Sequence, residues 1–528
     1  MDVRSILRRA ANYYAHQPAV LVSGKEYTFE ECWRRGLRCH NGLRSIGLLP
    51  GDRVGVLDDN TILGVDIYLA CAIGNFVRVP LYWRNSVDRH LQMIHKSGCR
   101  VVLASGDAPS ELARARAENP FLREIVVADG GYESWLADQS EEDGSTQISG
   151  DDLCVIKFTG GTTGESKGIP NTHRQWIAIG RDTLSFKPRI CTRDTMLHVA
   201  PLSHASAYYF LPAWAQGARQ IFGSGLESAE IVALMDREKV NHAFMPPTLL
   251  NMLANTGNAS NCDWGALRTL AIGSAPIGIN TLLKAEEVFG RRVLYQTYGT
   301  NEAVPIAGMG PDAWFAELNG SEPMKAVGRP LPCADMEIWD EEGNVLPVGE
   351  VGEIVAKCDG QMNGYWMDPV ETSRKVVNGW IKTGDLGRID RNGYLYLTDR
   401  VGEMMISGGH NIYPGELEKI ISGHPDVLEV CVFGVPDKKW GETPIAVCQV
   451  KRGSKVTDRD IKSLVTKEIG SYMKPSKVQI ILDPLPKSAV GKISRKLMRE
   501  AYLGASALDV VQEGVAGSAV ELDAPRAS

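Results

Sequence analysis

Short apolar runs bounded by turn residues recur through the first part of the chain. Val54-Gly55-Val56-Leu57, Val77 to Pro80, Val101 to Ala104 and Leu153-Cys154-Val155-Ile156 each have the length and composition of a buried strand. The stretch Val87 to Lys96 is predicted as a helix between the second and third of these. Thr28 followed by Glu31 forms a capping box that opens another helix. Strands alternating with helices over residues 1 to about 150 predict a parallel sheet. Gly64 to Trp83 is the most membrane-like stretch, but Asp66, Asn75 and Arg78 interrupt it, so it reads as a buried helix leading into a strand. Asp138 to Asp151 is polar and Gly/Ser-rich, a predicted linker.

Further along, Phe244-Met245-Pro246-Pro247-Thr248 reads as a strand end opening a helix with proline in its first turn. The run Leu270 to Ile272 closes on Gly273-Ser274-Ala275-Pro276. A predicted strand, Arg292 to Gln296, precedes Tyr298-Gly299-Thr300-Asn301-Glu302. Both loops are expected at carboxyl ends of strands, where open α/β sheets hold ligands. Gly387 to Asp390 and Tyr394 to Leu397 read as strands joined at an Asn392-Gly393 turn. From about residue 401 the pattern is that of a small α+β domain. Its predicted strands are Leu428 to Gly434, Pro444 to Lys451 and Val478 to Leu482, with a helix at Asp458 to Ile469. From about Gly504 the chain is Ala/Gly/Ser-rich, a predicted disordered tail.

At 528 residues the chain is too long for one ordinary core. Apolar content of 44% and charged content of 23% are those of a soluble globular protein. A net charge of −7 without a long basic run argues against nucleic acid as a partner. The eleven cysteines form no CxxC pair and read as reduced, mostly buried thiols of a cytoplasmic enzyme. The first residues, Met1 to His16, contain no apolar core long enough for a signal peptide, and no transmembrane segment is expected.

The candidate chemistry starts at Phe158 to Gly168, FTGGTTGESKG, directly after the strand at Leu153. Glycines let consecutive backbone N–H groups converge on one point, and threonine hydroxyls add donors, so this is a candidate phosphate cradle. It is not a Walker loop, which needs Lys and then Ser/Thr directly after its last glycine. Here Glu165 and Ser166 separate Gly164 from Lys167.

This loop resembles that of the adenylate-forming superfamily, which includes acyl- and aryl-CoA ligases, peptide-synthetase adenylation domains and firefly luciferase. Five further motifs follow in the superfamily's order, so the resemblance covers roughly residues 10 to 500. It implies an α/β fold: a large multi-subdomain N-terminal domain with parallel-rich sheets, residues 1–400, binding ATP and the acyl group. A small mobile α+β domain, residues 401–503, follows, and then the tail, 504–528. Thr159, Gly160, Gly161, Thr162, Thr163, Gly164 and Lys167 would hold the leaving phosphates. Gly160 and Ser166 depart from the usual Ser and Pro. Gly273, Ser274 and Ala275 would flank adenine, with Tyr298 stacked on it. Gly299, Thr300 and Asn301 would belong to the nucleotide site, Asn301, which replaces the usual Thr, offering a polar contact to the α-phosphate. Glu302 matches the magnesium-linked glutamate, Asp385 the ribose ligand, and Arg400 the arginine that reaches ribose or phosphates.

His204, in Pro201-Leu202-Ser203-His204, matches a residue near the acyl group. Tyr208, Met245, Thr248, Gly273 and Gly299 complete the implied acyl pocket. Gly402 stands at the interdomain pivot, where relatives carry Asp or Lys, and His410 where they usually carry Glu. Ser407, Gly408 and Gly409 would line the thiol tunnel. Lys492, within Pro486 to Arg495, matches the catalytic lysine that bridges the carboxylate and the α-phosphate.

The implied activity is ATP- and Mg2+-dependent conversion of a carboxylic acid to acyl-AMP, then thioester formation with CoA. An acyl-AMP ligase that hands its product to a carrier protein or separate transferase stays open, as does a non-catalytic nucleotide- and acyl-binding protein. The sequence leaves the oligomeric state undecided. Tyr208, the surrounding aromatics and the lack of an amine-binding aspartate in the matched segments favour an aryl, bulky or medium-chain acid.

Overall fold

The structure is a computed structural model that describes residues 1–58, 60–105, 109–128, 131–144, 146–158, 166–223, 225–407, 410–470, 473–487 and 493–504. The chain divides into two compact units, Met1–Val401 and Gly402–Ser528. The expected phosphate loop at Thr159 to Gly164, Gly408, Gly409 and Lys492 lie outside the described residues, as does the expected tail beyond a helical stretch at 495–504.

Two large sheets organise the first unit. One has six strands in the order Glu124–Ala128, Val101–Ser105, Arg53–Leu57, Val77–Leu81, Leu153–Phe158, Gly168–Thr172. All its pairs are parallel except the last. The other has nine strands. Leu294–Tyr298, Thr269–Ile272, His242–Met245, Thr195–His198, Arg219–Phe222 and Pro18–Val22 run parallel in that order, and antiparallel strands cover both edges. A third, antiparallel sheet contains Ala334–Trp339, Gly352–Cys358, Trp380–Ile389 and Leu395–Arg400.

The strands expected at Val54, Val77 and Val101 lie parallel in the six-stranded sheet, but the reading did not foresee a hairpin ahead of them. The hairpin Pro18–Val22/Lys25–Thr28 leaves that sheet and pairs through Val20 with Gln220 in the nine-stranded one. The strand expected at Arg292 begins instead at Leu294, because Arg291–Val293 form a 3-10 turn after the helix Ile279–Phe289. The helix Ile62–Gly74 is buried nearly all round and leads into Val77–Leu81, as expected of the membrane-like stretch. Among the described residues no helix is long and apolar enough to cross a membrane. Among its described residues the polar segment after Asp138 carries no regular element but is pinned to the surface: Glu141 pairs with Arg34 and Arg38, and Asp143 with Arg4.

Trp214 and Phe29 anchor the core beside the first helix. Both are fully buried, their rings meet edge to face at 4.6 Å, and the Trp214 indole donates to the Leu7 carbonyl. The second unit is a five-stranded sheet. Its central pair, Val427–Asp437 and Gly441–Val450, is antiparallel, and Lys477–Ile481 lies parallel to the latter. The helices Pro414–Ile421 and Asp458–Ile469 contribute Leu417, Ile421, Ile461 and Val465 to its core. Of the eleven cysteines, seven are buried, and all are free thiols.

Candidate active site

Strands that end together deliver the candidate residues of the first unit. Gly273 follows Thr269–Ile272, Tyr298 ends Leu294–Tyr298, and Met245 ends His242–Met245. A Cβ on Gly273 would stand 2.8 Å from the Thr297 carbonyl oxygen, so the close approach of the two loops requires glycine there. Ser274 beside it adopts φ +71°, an uncommon backbone for a non-glycine residue that clusters at functional loops.

Tyr298 is buried, and its hydroxyl donates to Oδ2 of Asp385 at 2.8 Å. Burial, reinforced by the Asp385 charge, raises the Tyr298 hydroxyl well above its ordinary range and keeps it a donor. The Nε of Arg400 stands 3.3 Å from Oδ1 of the same carboxylate. Asp385 lies within the strand Trp380–Ile389 at a break in register: Asp385 opposes Arg400, but Gly387 opposes Leu397. Such a bulge re-aims a side chain. Gly384 makes it feasible with φ +81°, while its N–H donates to Glu353 at 3.1 Å. Thr383 supports the turn by donating to the Ile354 carbonyl and accepting from the Asp385 N–H.

A second cluster forms around Tyr365. Its hydroxyl donates to Oε1 of Glu302 at 2.7 Å, and the ammonium of Lys167 stands 5.2 Å from its ring centre. Lys167 also pairs with Glu371. Burial, with Glu302 next in effect, raises the Tyr365 hydroxyl far above its usual range, so it too stays protonated. Glu302 is therefore a buried carboxylate with a fixed orientation.

The third cluster joins two of the expected segments. Lys157 donates to the Tyr208 hydroxyl at 2.9 Å and to the Asn301 carbonyl at 3.1 Å. The Thr300 N–H donates to the Ala303 carbonyl at 2.8 Å, which closes the loop carrying Asn301. His204 sits in the turn before the helix Ala207–Ala215, with its ring 6.4 Å from Tyr82. Met245 is fully buried, and Thr248 is half-buried at the start of the helix Pro247–Ala254. In the second unit Ser407 ends the short strand Met405–Ser407, and Gly402 has φ +86°.

Among the described residues no three His, Cys, Asp or Glu side chains cluster as a metal site. A lone oriented carboxylate such as Glu302 nonetheless suits magnesium. That ion commonly takes one or two protein carboxylates and completes its shell with phosphate oxygens and water.

The sequence comparisons decide the family. Residues 7–366 match the model of the AMP-binding enzyme, and residues 416–492 match that of the AMP-binding enzyme C-terminal domain. The chain belongs to the AMP-binding enzyme family. Relatives within it include a feruloyl-CoA synthase of an Amycolatopsis species, 32% identical over 94% of this chain and 98% of its own length. Another is the fatty acid–[acyl-carrier-protein] ligase ScoC of Streptomyces coeruleorubidus, 30% identical over 96% and 98%. Among solved structures, the amide bond synthetase McbA of Marinactinospora thermotolerans superposes with a TM-score of 0.85. It is 26% identical and covers 95% of this chain and 99% of its own. The mixed α/β architecture, with a large first unit of parallel-rich sheets and a small second one, is the fold of this family of adenylate-forming enzymes.

Tyr365 and Lys157 escaped the sequence reading. Lys157 had a visible signal, a lysine inside the apolar run Leu153 to Phe158. Tyr365 sits in an aperiodic Gly/Pro-flanked stretch and gave none.

Proposed function

We propose that the protein joins a carboxylic acid to ATP, releases pyrophosphate, and passes the acyl group from acyl-AMP to the thiol of CoA. In the first step an acid oxygen bonds to the α-phosphorus as the bond to pyrophosphate breaks. In the second, the thiol sulfur bonds to the acyl carbon and AMP leaves. Both partners of the first step are anions, so catalysis is positioning plus charge neutralisation.

The observations that carry this reading are two oriented carboxylates: Asp385 with Tyr298 and Arg400, and Glu302 held by Tyr365. Asp385 would take the ribose hydroxyls as acceptor, sharing with or displacing Arg400, whose side chain is 60% exposed. Glu302 would hold Mg2+, which offsets phosphate charge when bound. Lys167, with the loop Thr159 to Gly164, would neutralise the leaving pyrophosphate, and Lys492 would bridge the two reacting anions. Gly402 would serve as the pivot of a C-terminal catalytic domain. Ser407, Gly408 and Gly409 would line the path of the thiol.

A second acceptor is kept because one relative is named an acyl-carrier-protein ligase and a structural neighbour an amide bond synthetase. The test is AMP release from ATP with a panel of acids, with and without CoA. Acyl-CoA formation supports the reading. Acyl-AMP without acyl-CoA moves the acceptor to a carrier or separate transferase. No acid-dependent ATP turnover leaves only a binding protein.

A further inference from the structure

Among the described residues of the first unit, three buried basic side chains lack a counter-ion: Lys187, which donates to the Thr183 carbonyl and the Thr297 hydroxyl, and the neighbouring pair Arg78 and Lys157. Arg78 is 6% exposed and Lys157 7% exposed. Arg78 lies opposite Val155 in the parallel pair of Val77–Leu81 with Leu153–Phe158, and Lys157 is two residues beyond Val155. Side chains alternate along a strand, so Arg78, Val155 and Lys157 share one sheet face. The aromatic residues Tyr68, Trp176 and Tyr208 pack against it. The Arg78 guanidinium stands 4.4 Å from the Tyr68 ring centre and 5.5 Å from that of Trp176. The Lys157 ammonium stands 5.7 Å from Trp176 and 5.0 Å from Tyr208. Trp176 is locked between them, its indole donating to the Tyr68 hydroxyl at 2.7 Å.

Elsewhere this chain gives buried arginines carboxylates. Arg35 donates to both oxygens of Asp66, at 3.0 and 2.7 Å, and also to Glu133; Arg4 donates to Asp143. Arg78 has none. Among the described residues its hydrogen bond is a long one, 3.5 Å to the Leu202 carbonyl, which leaves most of its five donors unused. Lys157 has two neutral acceptors, the Tyr208 hydroxyl and the Asn301 carbonyl, and a third N–H to spare. Desolvating a cation is costly unless a counter-charge offsets it, and ring faces supply only part of that. Two such cations side by side need an anion, and the first unit's described residues place none within ion-pair distance of either.

The location says where that anion comes from. Lys157 touches Tyr208 and the loop carrying Asn301 and Glu302, and Arg78 touches the Leu202 end of the turn carrying His204. Tyr208 and the turn carrying His204 are assigned to the acid substrate, and Asn301 and Glu302 to the adjoining α-phosphate and magnesium. We propose that Arg78 and Lys157 bind a second carboxylate of that substrate, so that the protein activates a dicarboxylic acid. The planar guanidinium fork matches a carboxylate in two parallel N–H···O bonds, and the ammonium adds a third. The rings of Tyr68, Trp176 and Tyr208 wall the subsite against water. This inference rests on the acid-activating reading above.

The test uses the full chain and matched pairs of acids: aliphatic and aromatic dicarboxylic acids, each beside its monomethyl ester. AMP formation is measured as kcat/KM. The expected result is a preference for at least one diacid over its monoester of tenfold or more. That ratio should fall toward one in Arg78→Met and Lys157→Met and be largely restored in Arg78→Lys and Lys157→Arg. A merely structural role would lower both acids of a pair together and leave the ratio unchanged. Monoesters equal to or better than their diacids in the wild type overturn the inference while leaving acid activation standing. No turnover with any acid overturns both. Because the wild-type ratio decides on its own, a variant that fails to fold does not blunt the test.

Discussion

The hydroxyl of Tyr298 and the carboxylate of Asp385 meet at 2.8 Å, tying the end of one sheet to a bulge in another. The contact orients the carboxylate proposed above to take the ribose hydroxyls. Removing the carboxylate should act on ATP rather than on the acid. Asp385→Ala is expected to raise the KM for ATP by roughly 10- to 100-fold, the worth of charge-assisted hydrogen bonds of about 1.5–3 kcal/mol. The KM for the acid should change little, and steady-state kinetics in each substrate separates the two.

Tyr365 orients Glu302 while its ring faces Lys167. Tyr365→Phe keeps the ring and deletes the donor. It should lower kcat/KM by about tenfold and raise the Mg2+ concentration needed for half-maximal rate. Titration with Mg2+ checks it: an unchanged half-saturation point removes Glu302 from the metal role.

Lys492→Ala is expected to lower acyl-AMP formation by at least about 10²–10³-fold, the usual loss for one transition-state charge contact. Thioester formation from supplied acyl-AMP and CoA should persist. Full ATP-dependent turnover by this variant would refute the role given to the lysine.

Much of this was legible because the chemistry sits where local pattern is strongest. Strand ends at Ile272 and Met245 followed from apolar runs, and Thr28 announced its helix by its own cap. Long-range pairing was not legible: nothing in Pro18 to Thr28 announces a partner at Arg219 to Phe222. Asp385 reads as a turn residue beside Gly384, yet it belongs to a long strand whose bulge exists only through partners on both sides. Asp66, Asn75 and Arg78 were visible only as interruptions of an apolar stretch. Asp66 answers Arg35 and Asn75 answers Asp152, while Arg78 is left facing aromatic rings.

Buried neutral histidines weaken the first unit as the pH falls. Burial lowers His40, His173 and His198 each to about 4 from an ordinary value of 6.5. His173 accepts from the Val3 N–H through Nδ1, which leaves Nε2–H to donate to Asn75 at 3.1 Å. Between pH 6.5 and 4 the unfolded chain binds these protons and the folded chain does not, so stability falls as pH falls through that window. Each histidine contributes up to about 1.4 kcal/mol per pH unit. Replacing His173 with Gln should flatten the dependence of the melting temperature on pH between 6.5 and 4, and an unchanged slope would contradict the assignment.

Acid-dependent exchange between ATP and pyrophosphate tests the central claim most directly, because it needs no thiol and no knowledge of the acceptor. With the matching acid present and CoA absent, the wild-type chain should exchange pyrophosphate into ATP at a rate that vanishes when the acid is withheld and drops sharply in Asp385→Ala. Exchange that ignores the acid, or none with any carboxylic acid across a broad panel, would contradict acyl-adenylate formation.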